Sequence, residues 1–165
     1  MALVVVPNEA NQAVIDSGGH CRALCQDALE IEPGFDLVYI DPPYLNQAGS
    51  GVDYHHFYHF LEGMVRYDDW EKWIDFSSKH RRLTRRNDPW TDRTRVHQQF
   101  VKLLDRFRDS ILVVSYRSDG IPSIEELMGM LSDVKRHVRL IDGPTYQYAL
   151  STNRRSREVL LIGID

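Results

Sequence analysis

Residues 37–44 read Leu37-Val38-Tyr39-Ile40-Asp41-Pro42-Pro43-Tyr44, an apolar run that stops at two consecutive prolines. The run predicts a buried β-strand at residues 35–40. Because neither proline carries a backbone N–H and each fixes its own φ, the strand must end there with unpaired carbonyl groups. A carboxylate, carbonyl oxygens and an aromatic ring are thereby brought to one edge of a sheet. In open α/β sheets, ligands bind at that edge.

This predicted edge suits a planar ligand that bears an exocyclic amine. The carboxylate of Asp41 and a proline carbonyl, for which we expect that of Pro42, can accept the two N–H groups of the amine. Tyr44 can cover the face of the ring. The alternative is a strand-ending turn that happens to contain two prolines, since so short a match has a real false-positive rate.

The size and composition of the chain suit a single globular domain. It has 165 residues, of which 42% are hydrophobic and 27% charged, so neither disorder nor a membrane span is indicated. Cys21 and Cys25 are too few for a zinc site and poorly placed for a disulfide framework, and they favour a cytoplasmic location. His55, His56 and His59 lack an acidic or cysteine partner, so we expect no metal site.

The remaining apolar patterns predict an α/β fold. They are, in chain order, a short strand at 21–24, a helix at 96–107, a strand at 110–116, a helix with the capping-box pair Ser123 and Glu126, and strands at 134–141 and 158–164. The last two strands leave no room for a helix between them. This order therefore predicts a mostly parallel sheet that ends in an antiparallel hairpin.

Residues 45–109 form an insert with aromatic and basic segments. Its polar start, at 45–51, is predicted to be a mobile lid. Phe57, Phe60, Leu61 and Met64 fall on one helical face, a spacing typical of side chains that pack in the interior. Residues 79–95 carry seven basic side chains against two acidic ones, which favours contact with phosphates. A solvated charged helix face is the alternative meaning of that charge run.

Asp-Pro-Pro-Tyr after a hydrophobic strand resembles the catalytic motif of the amino-methyltransferases that use S-adenosylmethionine. The form with Asp resembles the adenine-specific DNA branch. Asp27, just upstream, resembles the acidic position near the adenine of the cofactor. The segment at 111–116 resembles the strand after the catalytic one, and residues 146–161 resemble the closing hairpin of Dam-like adenine DNA methyltransferases.

The resemblance implies transfer of a methyl group from S-adenosylmethionine to the N6 amino group of adenine in DNA. It implies these roles: catalysis by Asp41, Pro42, Pro43 and Tyr44; cofactor binding by Asp27 and Asp41; and substrate binding by Tyr44, Tyr146, Tyr148, Arg81, Arg85 and Arg86. The base must be extruded from the duplex before its amine can be reached. No metal is implied.

The chain departs from this family in lacking the glycine-rich cofactor loop that should precede the catalytic strand. It therefore resembles the C-terminal part of a partial Rossmann-like methyltransferase fold, with residues 1–165 as one incomplete catalytic domain. We expect little activity and incomplete cofactor binding from these residues alone, and association with a second chain or with another copy that completes the sheet. There are two competing functions. One is methylation of RNA, and the other is non-catalytic binding of nucleic acid by the basic segment at 79–95.

Overall fold

The computed structural model describes residues 18–45, 54–84, 88–143 and 156–165. The elements are, in chain order, a 3₁₀ helix at Ala28–Glu30, β1 at Leu37–Ile40, α1 at Tyr54–Phe57, α2 at His59–Val65, 3₁₀ helices at Tyr67–Trp73 and Pro89–Thr91, α3 at Val96–Arg106, β2 at Ile111–Arg117, α4 at Ile124–Ser132, β3 at His137–Asp142 and β4 at Glu158–Ile164. Within these ranges, no helix is both long and apolar enough to cross a membrane.

The four strands form one mixed sheet in the order β1-β2-β4-β3. β1 runs parallel to β2, with Leu37 opposite Ile111, whereas β4 lies between β2 and β3 and is antiparallel to both. The α/β class and the closing antiparallel hairpin are confirmed. The prediction of a mostly parallel sheet is wrong for the described strands, because the insertion of β4 leaves only one parallel pair among the three.

Helices α3 and α4 cover one face of the sheet. Alternate side chains of β2 and β4 point to that face, as expected of strands with period two. The core consists of fully or almost fully buried side chains: Ile40, Phe100, Leu103, Leu104, Leu112, Val114, Tyr116, Leu127, Leu131, Val159 and Leu161. α4 begins with the predicted capping box, since Glu126 N–H donates to Ser123 Oγ at 3.2 Å and Ser123 N–H donates to Glu126 Oε2 at 2.7 Å.

The opposite face of the sheet is left exposed at its ends. We call this surface the open face and define it by Leu37, Tyr39, Ile111 and Ile141. The side chains of Leu37 and Tyr39 are 51% and 58% exposed. Large apolar side chains on a sheet normally face a covering layer, so this surface is unusual for a chain that acts alone.

Three predicted strands differ from the observed ones. The strand predicted to be buried at 35–40 begins at Leu37, and of its four residues only Ile40 is buried, so the prediction of a buried strand is wrong. Residues 21–24 are exposed and form no strand, so that prediction is wrong. The strand predicted at 134–141 begins at His137 and not at residue 134, because the N–H groups of Val134 and Lys135 both donate to the carbonyl of Leu131 and complete the last turn of α4.

The aromatic segment, which we define as residues 54–84, folds locally. Gly63 of α2 lies directly under the indole of Trp70, because a Cβ built on it would come within 2.3 Å of that ring. The predicted helix is present, but the prediction that its apolar face packs in the interior is wrong. Phe57, Phe60, Leu61 and Met64 are each between 52% and 72% exposed.

Candidate functional site

The segment after β1 lies where the two prolines predict it. β1 ends at Ile40, which pairs with Val114 of β2, so the residues that follow β1 lie at the carboxyl edge of the parallel pair. The side chain of Asp41 is exposed, whereas Pro42 is buried. A carboxylate thus faces solvent immediately beyond a strand whose last residue belongs to the core.

A cavity of about 430 Å³ runs beside β1 and reaches Asp41. Its lining includes the carboxylate residue Asp41 together with Pro42 and Pro43. Its apolar walls come from the chain around the first 3₁₀ helix, from β1 and from the helix layer: Ala28, Ile31, Phe35, Leu37, Val38, Tyr39, Ile40, Trp90, Leu103 and Phe107. A largely apolar lining with a few polar groups is typical of small-molecule binding sites.

Tyr44 is held in the core and reaches back to Asp41. Its hydroxyl donates to Asp41 Oδ1 at 2.7 Å, and the residue is 9% exposed. Its ring packs edge-on against Tyr116, with 6.0 Å between the centroids and 73° between the planes. The stacking of Tyr44 on a substrate base stays a prediction.

A row of edge-to-face rings continues from Tyr116 to the far wall of the cavity. Tyr116 lies 5.8 Å from Phe100, and Phe100 lies 5.4 Å from Trp90, which lines the cavity. Such pairs favour this geometry because the positive edge of one ring meets the negative face of the next. The row joins Tyr44, through the helix layer, to the cavity wall.

The chain after the motif is anchored by Leu45. Its side chain is fully buried, and its carbonyl accepts the N–H of Ile121 at 2.8 Å. Gly120, the preceding residue, has no room for a side chain because a Cβ there would lie 2.5 Å from Tyr116 Cε1. The segment around Asp41 is therefore fixed at both ends, by β1 and by the loop after β2.

An ion pair lies just beyond the end of β2. Arg117 donates to both carboxylate oxygens of Asp119, at 2.5 and 2.8 Å, and Ser156 Oγ donates to Asp119 Oδ1 at 2.8 Å. Partial burial raises the pKa of Asp119, but the hydrogen bonds from Arg117 and Ser156 outweigh it and hold the pKa below its ordinary value. These hydrogen bonds join the loop after β2 to the residues that precede β4.

The predicted cofactor residue Asp27 lies beside the cavity, not in its lining. Its side chain caps the first 3₁₀ helix by accepting the N–H of Leu29 at 2.9 Å. Ala28 and Ile31 of that region do line the cavity, as does Asp41. The structure thus brings the chain around Asp27 and the end of β1 to one cavity.

Of the predicted substrate-binding residues, Tyr44 is buried beside Asp41 and Arg81 lies in the aromatic segment. The guanidinium of Arg81 stacks 5.1 Å from the centroid of the Phe76 ring and donates to the carbonyl of Phe76. Arg85, Arg86, Tyr146 and Tyr148 lie outside the described residues, as does most of the predicted lid. Their roles stay predictions.

Sequence reasoning missed Trp90, which lines the cavity, and Tyr116, which packs against Tyr44 and does not line the cavity. The alternation of β2 places Tyr116 on the same face as Leu112 and Val114, so its burial could have been predicted from the pattern. Burial raises the pKa of Tyr116 above its ordinary value of 10.0, and its hydroxyl has no hydrogen-bond partner among the described residues. Among those residues, too, no three metal-ligating side chains are grouped as a metal site would need.

Two curated proteins similar to this chain are modification methyltransferases. The modification methylase LlaI of Lactococcus lactis subsp. lactis is 30% identical over 127 residues, which are 76% of this chain and 19% of that protein. The type II methyltransferase M2.HphI of Haemophilus parahaemolyticus is 26% identical over 162 residues, which are 96% of this chain and 44% of that protein. No family model and no solved structure matches the chain. The chain is therefore similar in sequence to two modification methyltransferases, and it spans less than half the length of either of them.

Proposed function

We propose that the chain carries the catalytic edge of an enzyme that transfers a methyl group from S-adenosylmethionine to the N6 amino group of adenine in DNA. The observation that carries the proposal is the exposed carboxylate of Asp41, which follows the carboxyl end of β1 and lines the cavity beside that strand. The relationship to modification methyltransferases supports methyl transfer to DNA. The Asp-Pro-Pro-Tyr motif supports adenine as the acceptor.

The cavity beside β1 fits a flat, weakly polar ring. The side chains of Ala28, Ile31 and Phe107 offer apolar walls, and Asp41 offers a hydrogen-bond acceptor. An adenine ring, whether from the cofactor or from an extruded base, has that combination of apolar faces and an amino edge. When bound, S-adenosylmethionine supplies the methyl group, on a sulfonium that is a good leaving group.

The contribution of the protein is to hold the amine. Asp41 and the carbonyl of Pro42 would each accept one N–H of the adenine amino group, which turns the lone pair of the nitrogen away from them. As the nitrogen gains a methyl group it develops positive charge, and the carboxylate of Asp41 stabilises that charge. Positioning of this kind can supply a large part of the rate enhancement.

The open face indicates that the active enzyme contains more than this one chain. Apolar side chains of β1 and β2 are exposed there, and β1 pairs on one side only among the described strands. We propose that the active enzyme contains a second polypeptide, or a second copy of this chain, against that surface. The chain by itself should then transfer methyl groups slowly.

Incubation with S-adenosylmethionine labelled in the methyl group, followed by analysis of the nucleosides, tests the proposal. Duplex DNA and structured RNA are offered in competition, with Asp41→Ala as the control variant. We expect label in N6-methyladenine from DNA, a loss of at least about a hundredfold in transfer for Asp41→Ala, and unchanged DNA binding. Label in cytosine or in RNA would refute the assignment.

A second measurement tests the proposal even if the chain by itself transfers methyl groups too slowly to detect. Duplex DNA with 2-aminopurine in place of adenine becomes fluorescent when that base leaves the stack. We expect the signal with the wild-type chain and a weaker one with Asp41→Ala. If both proteins bind this DNA equally and neither raises the fluorescence, the chain is a non-catalytic nucleic-acid-binding protein.

A further inference from the structure

We propose that Tyr44 is a positioning residue, whose hydroxyl fixes the carboxylate of Asp41 for its work on the amine. This inference rests on the proposed function, in which Asp41 accepts an N–H of the substrate. It is separate from any stacking of a base on the Tyr44 ring, because it concerns the hydroxyl group and not the ring face.

A hydrogen bond joins Tyr44 to Asp41. The hydroxyl of Tyr44 donates to Asp41 Oδ1 at 2.7 Å, a normal length for a hydroxyl donor. Asp41 is exposed, and an exposed side chain at the end of a strand can otherwise exchange among rotamers. The bond engages one oxygen of the carboxylate and restricts its rotation, so that Oδ2 is left to meet the substrate.

Tyr44 is itself held in place by its packing. It is almost fully buried, its ring meets the edge of Tyr116, and Tyr116 is in turn packed against Phe100. Leu45, the next residue, is buried and bonded to the backbone of Ile121. A group in the rigid core therefore holds a group at the exposed edge, as precise catalytic positioning requires.

Tyr44 and Tyr116 differ in what their hydroxyl groups meet. Tyr44 and Tyr116 touch each other, but only Tyr44 directs its hydroxyl at a carboxylate. The hydroxyl of Tyr116 is buried with no partner among the described residues. If the hydroxyl of Tyr44 positions Asp41, removal of the two hydroxyl groups must have different effects.

A double-mutant cycle in the full chain tests the hydrogen bond without any need for activity. Unfolding by urea is measured for the wild type, Tyr44→Phe, Asp41→Ala and the double variant. We expect Tyr44→Phe to change the unfolding equilibrium constant about fivefold in the wild-type background and negligibly in the Asp41→Ala background. Equal effects in both backgrounds would overturn the proposal, whether or not the chain is active.

Methyl-transfer kinetics test the positioning role. We expect Tyr44→Phe to lower kcat about tenfold while KM for DNA stays within about twofold, because the lost bond acts on the orientation of Asp41. Tyr116→Phe is the matched control, and it should leave both constants within about twofold. Unchanged kcat in Tyr44→Phe, or a parallel loss in Tyr116→Phe, would overturn the proposal. Coupling in the cycle, with neither methyl transfer nor a rise in 2-aminopurine fluorescence from the wild-type chain, would instead refute the proposed function.

Discussion

Gly120 shows how closely the support of the site is packed. A Cβ on this residue would lie 2.5 Å from Tyr116 Cε1 and 2.6 Å from its hydroxyl oxygen. The ring of Tyr116 cannot retreat, because Tyr44 and Phe100 contact it. We expect Gly120→Ala to lower the free energy of unfolding by roughly 1–3 kcal/mol, the usual cost of overpacking, as measured by urea denaturation.

Gly129 provides the matched control for that substitution. It is exposed within α4, and a Cβ built on it meets no atom within 4 Å. Gly129→Ala should therefore raise the free energy of unfolding by roughly 0.5–1 kcal/mol, because alanine loses less backbone entropy in a helix. A shift of both glycine variants in the same direction would contradict the assignment of close packing at Gly120.

At the residue scale, the sequence predicts which side chains lie at the site better than it predicts the contacts between those side chains. The exposed position of Asp41 follows from local chemistry, since two prolines must end a strand wherever they occur. The hydrogen bond from Tyr44 does not follow, because its ring packs against Tyr116, which lies far along the chain. The side-chain rotamer of a tyrosine after a turn depends on such neighbours and not on local propensity.

At the scale of elements, Asp92 organises the start of α3. Its Oδ1 accepts the N–H and the hydroxyl of Thr94, at 2.9 and 2.6 Å, and its Oδ2 accepts Nε–H of Arg95 at 2.8 Å. Its backbone carbonyl accepts the N–H of Val96, the first residue of the helix. The bonds from Thr94, followed by that from Arg95, lower the pKa of Asp92 from 3.8 to about 2.

This lowered pKa predicts how stability depends on pH. Because the pKa is lower in the folded chain than in the unfolded one, the ionised carboxylate stabilises the fold at pH values above about 4, and the contribution disappears as the pH falls to about 2. We expect Asp92→Asn to be less stable than the wild type at neutral pH, with a difference that closes over that range in urea denaturation.

Arg95→Gln is the control for the Asp92 experiment. It removes the ion pair but keeps both hydrogen bonds from Thr94, which are the larger causes of the lowered pKa. Its effect at neutral pH should be smaller than that of Asp92→Asn. A stability difference between Asp92→Asn and the wild type that is as large near pH 2 as at neutral pH would contradict the assignment to the ionised carboxylate.

The predicted helices and strands are accurate where strong local sequence signals mark their ends. Those bounded by strong signals are reproduced closely, namely α4 with its capping box, β4 after a polar loop, and α3 with apolar residues at helical spacing. The strand predicted at 21–24 fails because a few mildly apolar residues form a strand only where a neighbour offers its backbone. The aromatic face of α2 shows the converse error, since periodicity indicates a helix but not what covers it.

At the scale of the whole molecule, the order of strands was beyond prediction. Sequence order indicated an antiparallel pair at the end, and β3 and β4 form it. It did not indicate that β4 would lie between β2 and β3, although that position makes one more of the three pairings, that of β2 with β4, antiparallel. Hydrophobic patterns define faces and periods, whereas the lateral order of strands depends on packing that a single sequence does not display.

The open face leads to a prediction about assembly. Leu37 and Tyr39 of β1 and Ile111 of β2 form adjacent exposed apolar positions, since Leu37 lies opposite Ile111. Burial of such side chains is favourable by about 25 cal/mol for each Å² removed from water. We therefore expect the purified chain to associate with a second copy of itself through this surface at micromolar concentrations, with a mass in light scattering above that of the monomer.

Tyr39→Lys tests whether the open face is the surface involved. A charge at the centre of the contact should return the chain to the monomer, because a buried unpaired ammonium is costly. Tyr67→Lys is the matched control: Tyr67 is also a highly exposed tyrosine, but it belongs to the aromatic segment. Equal dissociation by both variants would move the contact to the aromatic segment. A wild-type chain that stays monomeric at all concentrations would contradict self-association and leave a different polypeptide as the occupant of the open face.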